Sequence, residues 1–339
     1  MKIWKNTPLD ALMLALSIAQ FVATLLIASN WEGLSLAGRA GGFALLVLMM
    51  VYNIIVLSHL FTHTPWFESR LLNGLVSVVN SVNIGQSVQA YELTHVRNHH
   101  RYNNDRKGPD GMTKDLSSTY QEGVGGEHAS LFRYAFMGAV GTLLNVGRTL
   151  LSVGRLWRVG EHEQTLRSLA SPSPVKRAEE LRQIQLDRIA HFLGLCVFLS
   201  ISWEWTLACY LPAYYLALAL VNVQNYYEHY GAAPENGYAD SVSHYGRLYN
   251  LLTFNDGYHQ EHHLRPRSHW REMPMLRRKY GAKLDRVERI VSPVPAILGV
   301  LHRNRKKLHK HPAPAPVTLV QVPARDEHTF SKAANGSSS

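Results

Sequence analysis

Apolar residues along this chain fall into four long blocks separated by strongly polar stretches. Residues 9–28 supply about the 20 positions that a helix needs to cross a bilayer. Residues 40–60, AGGFALLVLMMVYNIIVLSHL, supply a second block, and residues 190–205 and 207–223 a third and a fourth. Short links join the first to the second and the third to the fourth, so the blocks pair as two hairpins. The pattern predicts an all-α, multi-pass membrane chain with four spans, accompanied by interfacial and cytoplasmic helices. Lys2 and Lys5 precede the first block as they would in a signal peptide. No small-residue cleavage site follows, and a second apolar block comes at once, which fits a retained anchor.

Three stretches have a mixed character. Residues 71–90 are apolar but carry Asn73, Asn80, Ser81, Asn83 and Gln86. A single crossing there would place His59 and His63 on the opposite side from His95, so the expectation is an interfacial or obliquely buried helix. Residues 131–157 are interrupted by Arg133, Arg148 and Arg155 and are expected on the membrane surface. Residues 175–189 read as a charged amphipathic helix leading into the third span. From His302 onward the chain changes to HRNRKKLHKH, PAPAP and a final NGSSS. That composition predicts a disordered tail over 302–339, whose basic run suits anionic lipid headgroups. The organisation expected is a membrane domain over 1–301, with cytoplasmic catalytic parts at 59–188 and 225–300.

Charge orients these elements. The formal net charge is +10, yet Arg39 is the one base in the first link and the link around WEWT has none. Residues 97–114, 148–188 and 265–310 hold many of the arginines and lysines. Positive segments stay on the cytoplasmic side, so both termini and the polar middle are expected there, at the inner membrane if the chain is bacterial. Topology accounts for the basic balance, and no nucleic-acid partner is expected. Cys196 and Cys209 lie in apolar blocks and read as small buried residues, with no disulfide framework.

With that topology the histidines line up. Of 18, nine fall in four short boxes: HLFTH (His59, His63), HVRNHH (His95, His99, His100), NYYEHYG (His229) and HQEHH (His259, His262, His263). Spacings of three and four put side chains on one helix face, so each box can aim its imidazoles at one point on the cytoplasmic edge. Imidazole suits iron, zinc and copper. A tetrahedral zinc takes four ligands, so nine histidines are too many for one ion and fit two. Other classes match less well. A zinc metalloprotease wants H-E-x-x-H, which none of the boxes contains. A carboxylate-bridged di-iron bundle needs paired E-x-x-H motifs, and ELTH is the single match. A membrane metal transporter would hold its ligands near mid-span, whereas these boxes sit at span ends.

The HxxxH, HxxxHH and HxxHH boxes together resemble those of the integral-membrane fatty acid desaturases and hydroxylases, over roughly residues 40–270. NYYEHYG is also similar to the N-Y-x-E-H-Y-G motif of membrane alkane monooxygenases, although Leu60 and Thr94 stand where those proteins carry Glu. The resemblance implies a histidine-rich cap that holds two non-haem iron ions through His59, His63, His95, His99, His100, His229, His259, His262 and His263. Asn225, four before His229, matches an asparagine that can reach one iron through water, and Asn255 is a second such candidate. The implied reaction is dioxygen-dependent oxidation of an unactivated C–H bond in an aliphatic chain. Fatty acyl desaturation or hydroxylation comes first. Terminal oxidation, as alkane hydroxylation or decarboxylation to a terminal alkene, is the alternative. No fused electron-transfer domain is visible, so electrons are expected from a separate ferredoxin or rubredoxin with its reductase. Arg265, Arg267, Arg271, Arg277, Arg278 and Lys279 form a basic surface that could receive it. Glu92, Glu228, Asp256, Glu261, His244 and His269 are candidates to orient the imidazoles.

Overall fold

The computed structural model describes residues 2–151 and 161–305. Among them are helices and no β-strand, with isolated bridges joining Trp4 to Phe67 and Ser243 to Val291. In chain order the first helices are α1 (Asp10–Asn30), α2 (Leu36–His63), α3 (Arg70–Ile84) and α4 (Val88–Thr94). Then come α5 (Gly138–Leu151), α6 (Glu161–Leu169), α7 (Pro174–Ile201) and α8 (Trp203–His229). Three short helices close the sequence: α9 (Arg247–Leu252), α10 (His259–Leu264) and α11 (Met273–Leu284).

Four helices, α1, α2, α7 and α8, are long and apolar enough to cross a membrane. Their starts follow ordinary capping chemistry. The Ser35 hydroxyl accepts from the Gly38 amide at 3.2 Å, and Ser202 accepts from Trp205 at the head of α8 at 3.2 Å. The third span is longer than its apolar block. The charged stretch 175–189 and the apolar stretch after it form one helix of 28 residues, opened by Pro174. The four spans are not equivalent. Half of the apolar window is buried in α2 and in α8, against 28% in α1 and 22% in α7. α2 and α8 therefore form the inner pair, packed through Met50, Ile54, Leu57, Tyr210, Tyr214 and Ala217.

Residues 71–90 bury their polar face inside the bundle and leave Leu71, Leu72 and Leu75 exposed. They form α3, a break at Gly85, and α4. The amides that make this stretch too polar for a span find partners inside the bundle. Gln20 donates to the Asn83 carbonyl at 3.0 Å, and Asn83 to the Ser17 carbonyl at 2.9 Å. Asn53 donates to Gln20 at 2.7 Å and to Asn80 at 3.1 Å, and itself accepts from Ser58 at 2.6 Å. In apolar surroundings each such group requires a partner, and together they fasten α1, α2 and α3. Gly85 ends α3 with φ of 70°, and a Cβ there would stand 2.6 Å from the Tyr214 ring. Just beyond, Asp187 of α7 accepts from Ser77 at 3.0 Å, Ser87 at 2.8 Å and the Gln89 amide at 3.0 Å. That carboxylate fixes the α3–α4 corner to α7.

Two further ties bring distant parts of the chain together. Asp10, at the start of α1, accepts from His269 and Trp270, each at 3.0 Å. Residues 133–137 form a wide π-helical turn leading into α5, and Asn222 of α8 donates to the Ala135 carbonyl there at 3.0 Å. Residues 152–157 of the stretch expected on the membrane surface lie outside the described residues, as does the tail beyond Arg305. Arg305 itself is buried, donating to the Tyr230 carbonyl at 3.0 Å.

Candidate metal centre

The inner spans α2 and α8 end in histidines, and the boxes between and after them close over those ends. α2 widens into a π-helical turn at Asn53–Ser58 immediately before His59. The second box is itself a π-helical turn, His95–His99. Such turns bond i to i+5 and recur at functional sites. The wider repeat sets His95 beside His100, five residues on, with their Nε2 atoms 3.2 Å apart. His99 turns elsewhere. The boxes thus do not each aim at one point, as spacings of three and four suggest; they divide. Donor atoms of His59, His63, His95, His100 and His262 lie within 4.8 Å of one another, and those of His99, His229 and His263 form a second such group. His259 adjoins the second group, with Nε2 3.5 Å from His229 Nε2 and its ring 4.5 Å from that of His263. All nine box histidines are therefore brought together, and the two groups touch where the His100 and His263 rings lie 4.5 Å apart.

The protonation pattern can be read from the outer ring nitrogens. His99 Nδ1 lies 2.8 Å from the Asp115 carboxylate, so it carries the proton and donates. His229 Nδ1 meets the Asp240 carbonyl at 3.1 Å, and His263 Nδ1 meets Asn103 Oδ1 at 3.2 Å. In each case Nε2 is left as a lone pair directed inward, and those of His99 and His263 are buried without a hydrogen-bond partner. In the larger group His59 Nδ1 donates to the Ile55 carbonyl at 3.0 Å. His262 Nε2 faces His59 Nε2 at 3.1 Å and His100 Nε2 at 3.0 Å. Burial, followed by the neighbouring imidazoles, holds His95, His100, His259, His262 and His263 well below the usual histidine range. Neutral imidazole is the form that binds a metal. Converging imidazole nitrogens, with the inward lone pairs of His59, His99, His229 and His263 set by their outer partners, fit metal ions.

The outer partners only partly match the sequence expectation. Asp256 reaches His59 Nδ1 at 3.4 Å and Glu228 reaches His259 Nδ1 at 3.6 Å. Glu92 instead meets Gln89 and Arg97, and the fully buried Glu261 accepts from Ser243 at 3.0 Å and Tyr245 at 2.7 Å. His244 binds the Ser292 carbonyl at 2.9 Å and His269 binds Asp10, so neither supports a box. Asn255 is occupied with the Trp270 carbonyl at 3.1 Å. Sequence reading missed Asp115 and Asn103. Burial opposes ionisation of Asp115, but His99 and the Ser117 donors outweigh it and keep its carboxyl below the usual range. Nothing in the loop GPDGMTKD marks Asp115 out. The pair Asn103–Asn104 carried a readable signal, since both adopt positive φ, which asparagine tolerates.

A cavity of about 480 Å³ adjoins the histidines. His59, His95 and His259 face it, as does Asn225. The Asn225 amide donates to the Tyr134 hydroxyl and to the Ser117 carbonyl at 3.4 Å.

The model of the fatty acid desaturase family matches residues 37–293, well over half of the chain and every histidine box. The chain belongs to the fatty acid desaturase family. Comparison with curated proteins gives no match.

Proposed function

We propose that this integral-membrane oxidoreductase of the fatty acid desaturase family holds two irons in its nine box histidines and oxidises an unactivated C–H bond of an aliphatic chain. The observation that carries this reading is the pair of imidazole groups gathered at the ends of the inner spans, with His59, His95 and His259 facing the adjoining cavity. Two irons, when bound, would supply activation of dioxygen with two electrons from an external donor protein; desaturation then removes two hydrogens from the substrate and yields two waters, whereas hydroxylation leaves one oxygen atom in the alcohol and yields one water. The chain's own residues do the rest. Asp115, the Asp240 carbonyl, Asn103 and the Ile55 carbonyl hold Nδ1 protons, so each ring presents Nε2 in a fixed tautomer. Ile54, Ile55, Leu218 and Val221 line the cavity with apolar surface that favours an alkyl chain and excludes water. Asn225 stands on the cavity wall one helical turn before His229, suited to a water-mediated approach to the metal.

Desaturation or hydroxylation of a fatty acyl chain is the leading outcome. The NYYEHYG stretch favours terminal oxidation as a second reading. Gas chromatography–mass spectrometry of cells expressing the chain separates these by product, with His263→Ala as the control. A new alkene or alcohol that disappears in the variant is expected, together with about two irons per purified chain. Active protein without iron, or full product formation by His263→Ala, overturns the reading. The basic segments favour a cytoplasmic histidine side, open to a ferredoxin or rubredoxin that delivers electrons. A reporter inserted near Gly33 should read as external and one fused after Arg305 as cytoplasmic; the reverse pattern would cut the site off from that donor.

A further inference from the structure

The cavity beside His59, His95 and His259 has a second polar end that the metal does not use. His162 from α6 and Arg188 and His191 from α7 line it there. Their position along the cavity follows from α4. Asp187, the neighbour of Arg188, binds Ser87 and the Gln89 amide, which sets Arg188 beside the first turn of α4. His95 comes eight residues after Ser87, a rise of about 12 Å along a helix at 1.5 Å per residue. Ile54, Ile55, Ala90, Val146, Leu218 and Val221 provide apolar wall.

Both polar groups are costly where they stand. The Arg188 side chain is 14% exposed on a span-length helix, and one of its five N–H donors goes to Glu163 at 2.9 Å. His191 is 3% exposed and its Nε2 has no hydrogen-bond partner. Buried ionisable groups at membrane depth mark binding sites, and an unpaired buried nitrogen is paid for only by what it later binds.

We propose that Arg188 and His191 form a carboxylate subsite that receives the head of a free fatty acid, whose chain then runs to the histidines. This rests on the reading of an aliphatic substrate given above. A guanidinium fork matches a planar carboxylate in charge and geometry. Glu163 already offsets part of the positive charge, so the site suits a monoanion and not a doubly charged phosphate. A head group bound inside the cavity requires the acid itself, because a thioester-linked chain would bring no charge to Arg188. The cavity, about 480 Å³, has room for an alkyl chain, and dodecanoate serves as the probe. The carbon presented to the histidines is then remote from the carboxyl.

The test is equilibrium binding of radiolabelled dodecanoate and of its methyl ester to the full chain in lipid nanodiscs, with iron and after chelation. Wild type should prefer the acid, and Arg188→Gln should weaken acid binding about tenfold or more while leaving the ester unchanged. Arg188→Lys should recover part of the loss. If Arg188→Gln fails to fold, seen as loss of ester binding too, His191→Phe decides by lowering acid affinity alone. Equal wild-type affinity for acid and ester overturns the subsite, as does unchanged acid binding in the folded variants. Iron measured on the same samples separates the two proposals. Two irons without acid preference sink the subsite alone; acid preference without iron sinks the oxidase reading alone.

Discussion

The five-histidine and three-histidine groups are built from the same boxes but are held differently. His99, His229 and His263 are all buried, and each has its outer nitrogen tied to an oxygen: Asp115, the Asp240 carbonyl and Asn103. In the larger group His63, His95 and His100 are only half-buried. His63 has both ring nitrogens without a hydrogen-bond partner, and His100 lacks one at Nδ1. Those rings are set mainly by packing on one another, with the His63 and His262 centroids 4.3 Å apart. The cavity touches His59 and His95 but none of His99, His229 and His263. The smaller group is thus a cage with its tautomers fixed in advance, which meets the cavity only through the adjoining His259; the larger is looser and faces the cavity through His59 and His95. Rigid outer hydrogen bonding suits holding a metal, and a less constrained set suits a position where a ligand must come and go.

The largest test of that contrast is removal of one ring from each group. His99→Ala and His63→Ala should each lower product formation beyond the roughly hundredfold that loss of an outer partner can cost, and each should leave about one iron per chain. Two irons retained in either variant would break the division into two sites. Next in size is the outer layer. Asp115→Asn should weaken iron binding about 10- to 100-fold, whereas Asp256→Asn, which removes a longer 3.4 Å contact to His59, should fall at the lower end of that range. Titration of apo protein with ferrous iron, read by absorbance or by bound metal, measures both. Equal losses would mean that the two groups are fastened alike. A chelator should then strip the holoprotein in two phases, the faster from the half-buried group. A single phase would show that burial does not govern release. The smallest effect concerns the floor beneath the larger group. Asn53→Ala removes two donations and one acceptance inside the bundle and should cost about 1–3 kcal/mol of stability. It should be seen as a lowered Tm with iron content unchanged.

Much of this was legible beforehand where one local rule governed. The apolar blocks 9–28, 40–60 and 207–223 fall, but for Leu9, within helices of span length because helix length against membrane thickness admits few alternatives. The charged helix read over 175–189 and the apolar block after it are one helix that ends at Ile201, so Trp203–Trp205 belong to α8. Residues 71–90 stayed ambiguous for a definite reason. Their asparagines would be costly in lipid, and they become ordinary once Gln20, Asn53 and Ser17 answer them from other helices.

The nine box histidines were chosen by their spacing, and the fold gathers all nine. Their division into two groups was not in the spacing. It depends on a π-helical turn that pairs His95 with His100, on His262 and His263 joining different groups from one short helix, and on α8 delivering His229 from a distant part of the chain. Glu92 and Glu261, close to the boxes in sequence, went to Arg97 and to Ser243 and Tyr245 instead, while Asp115 arrived at His99 from a loop 16 residues away. Sequence by itself determined the span-length helices and picked out the rings that the fold gathers, because helical period and hydrophobic length act between near neighbours. Tertiary structure alone decided which rings share a centre, which oxygen fixes each tautomer and which histidines meet the cavity, because those contacts join residues that only the packed bundle makes adjacent.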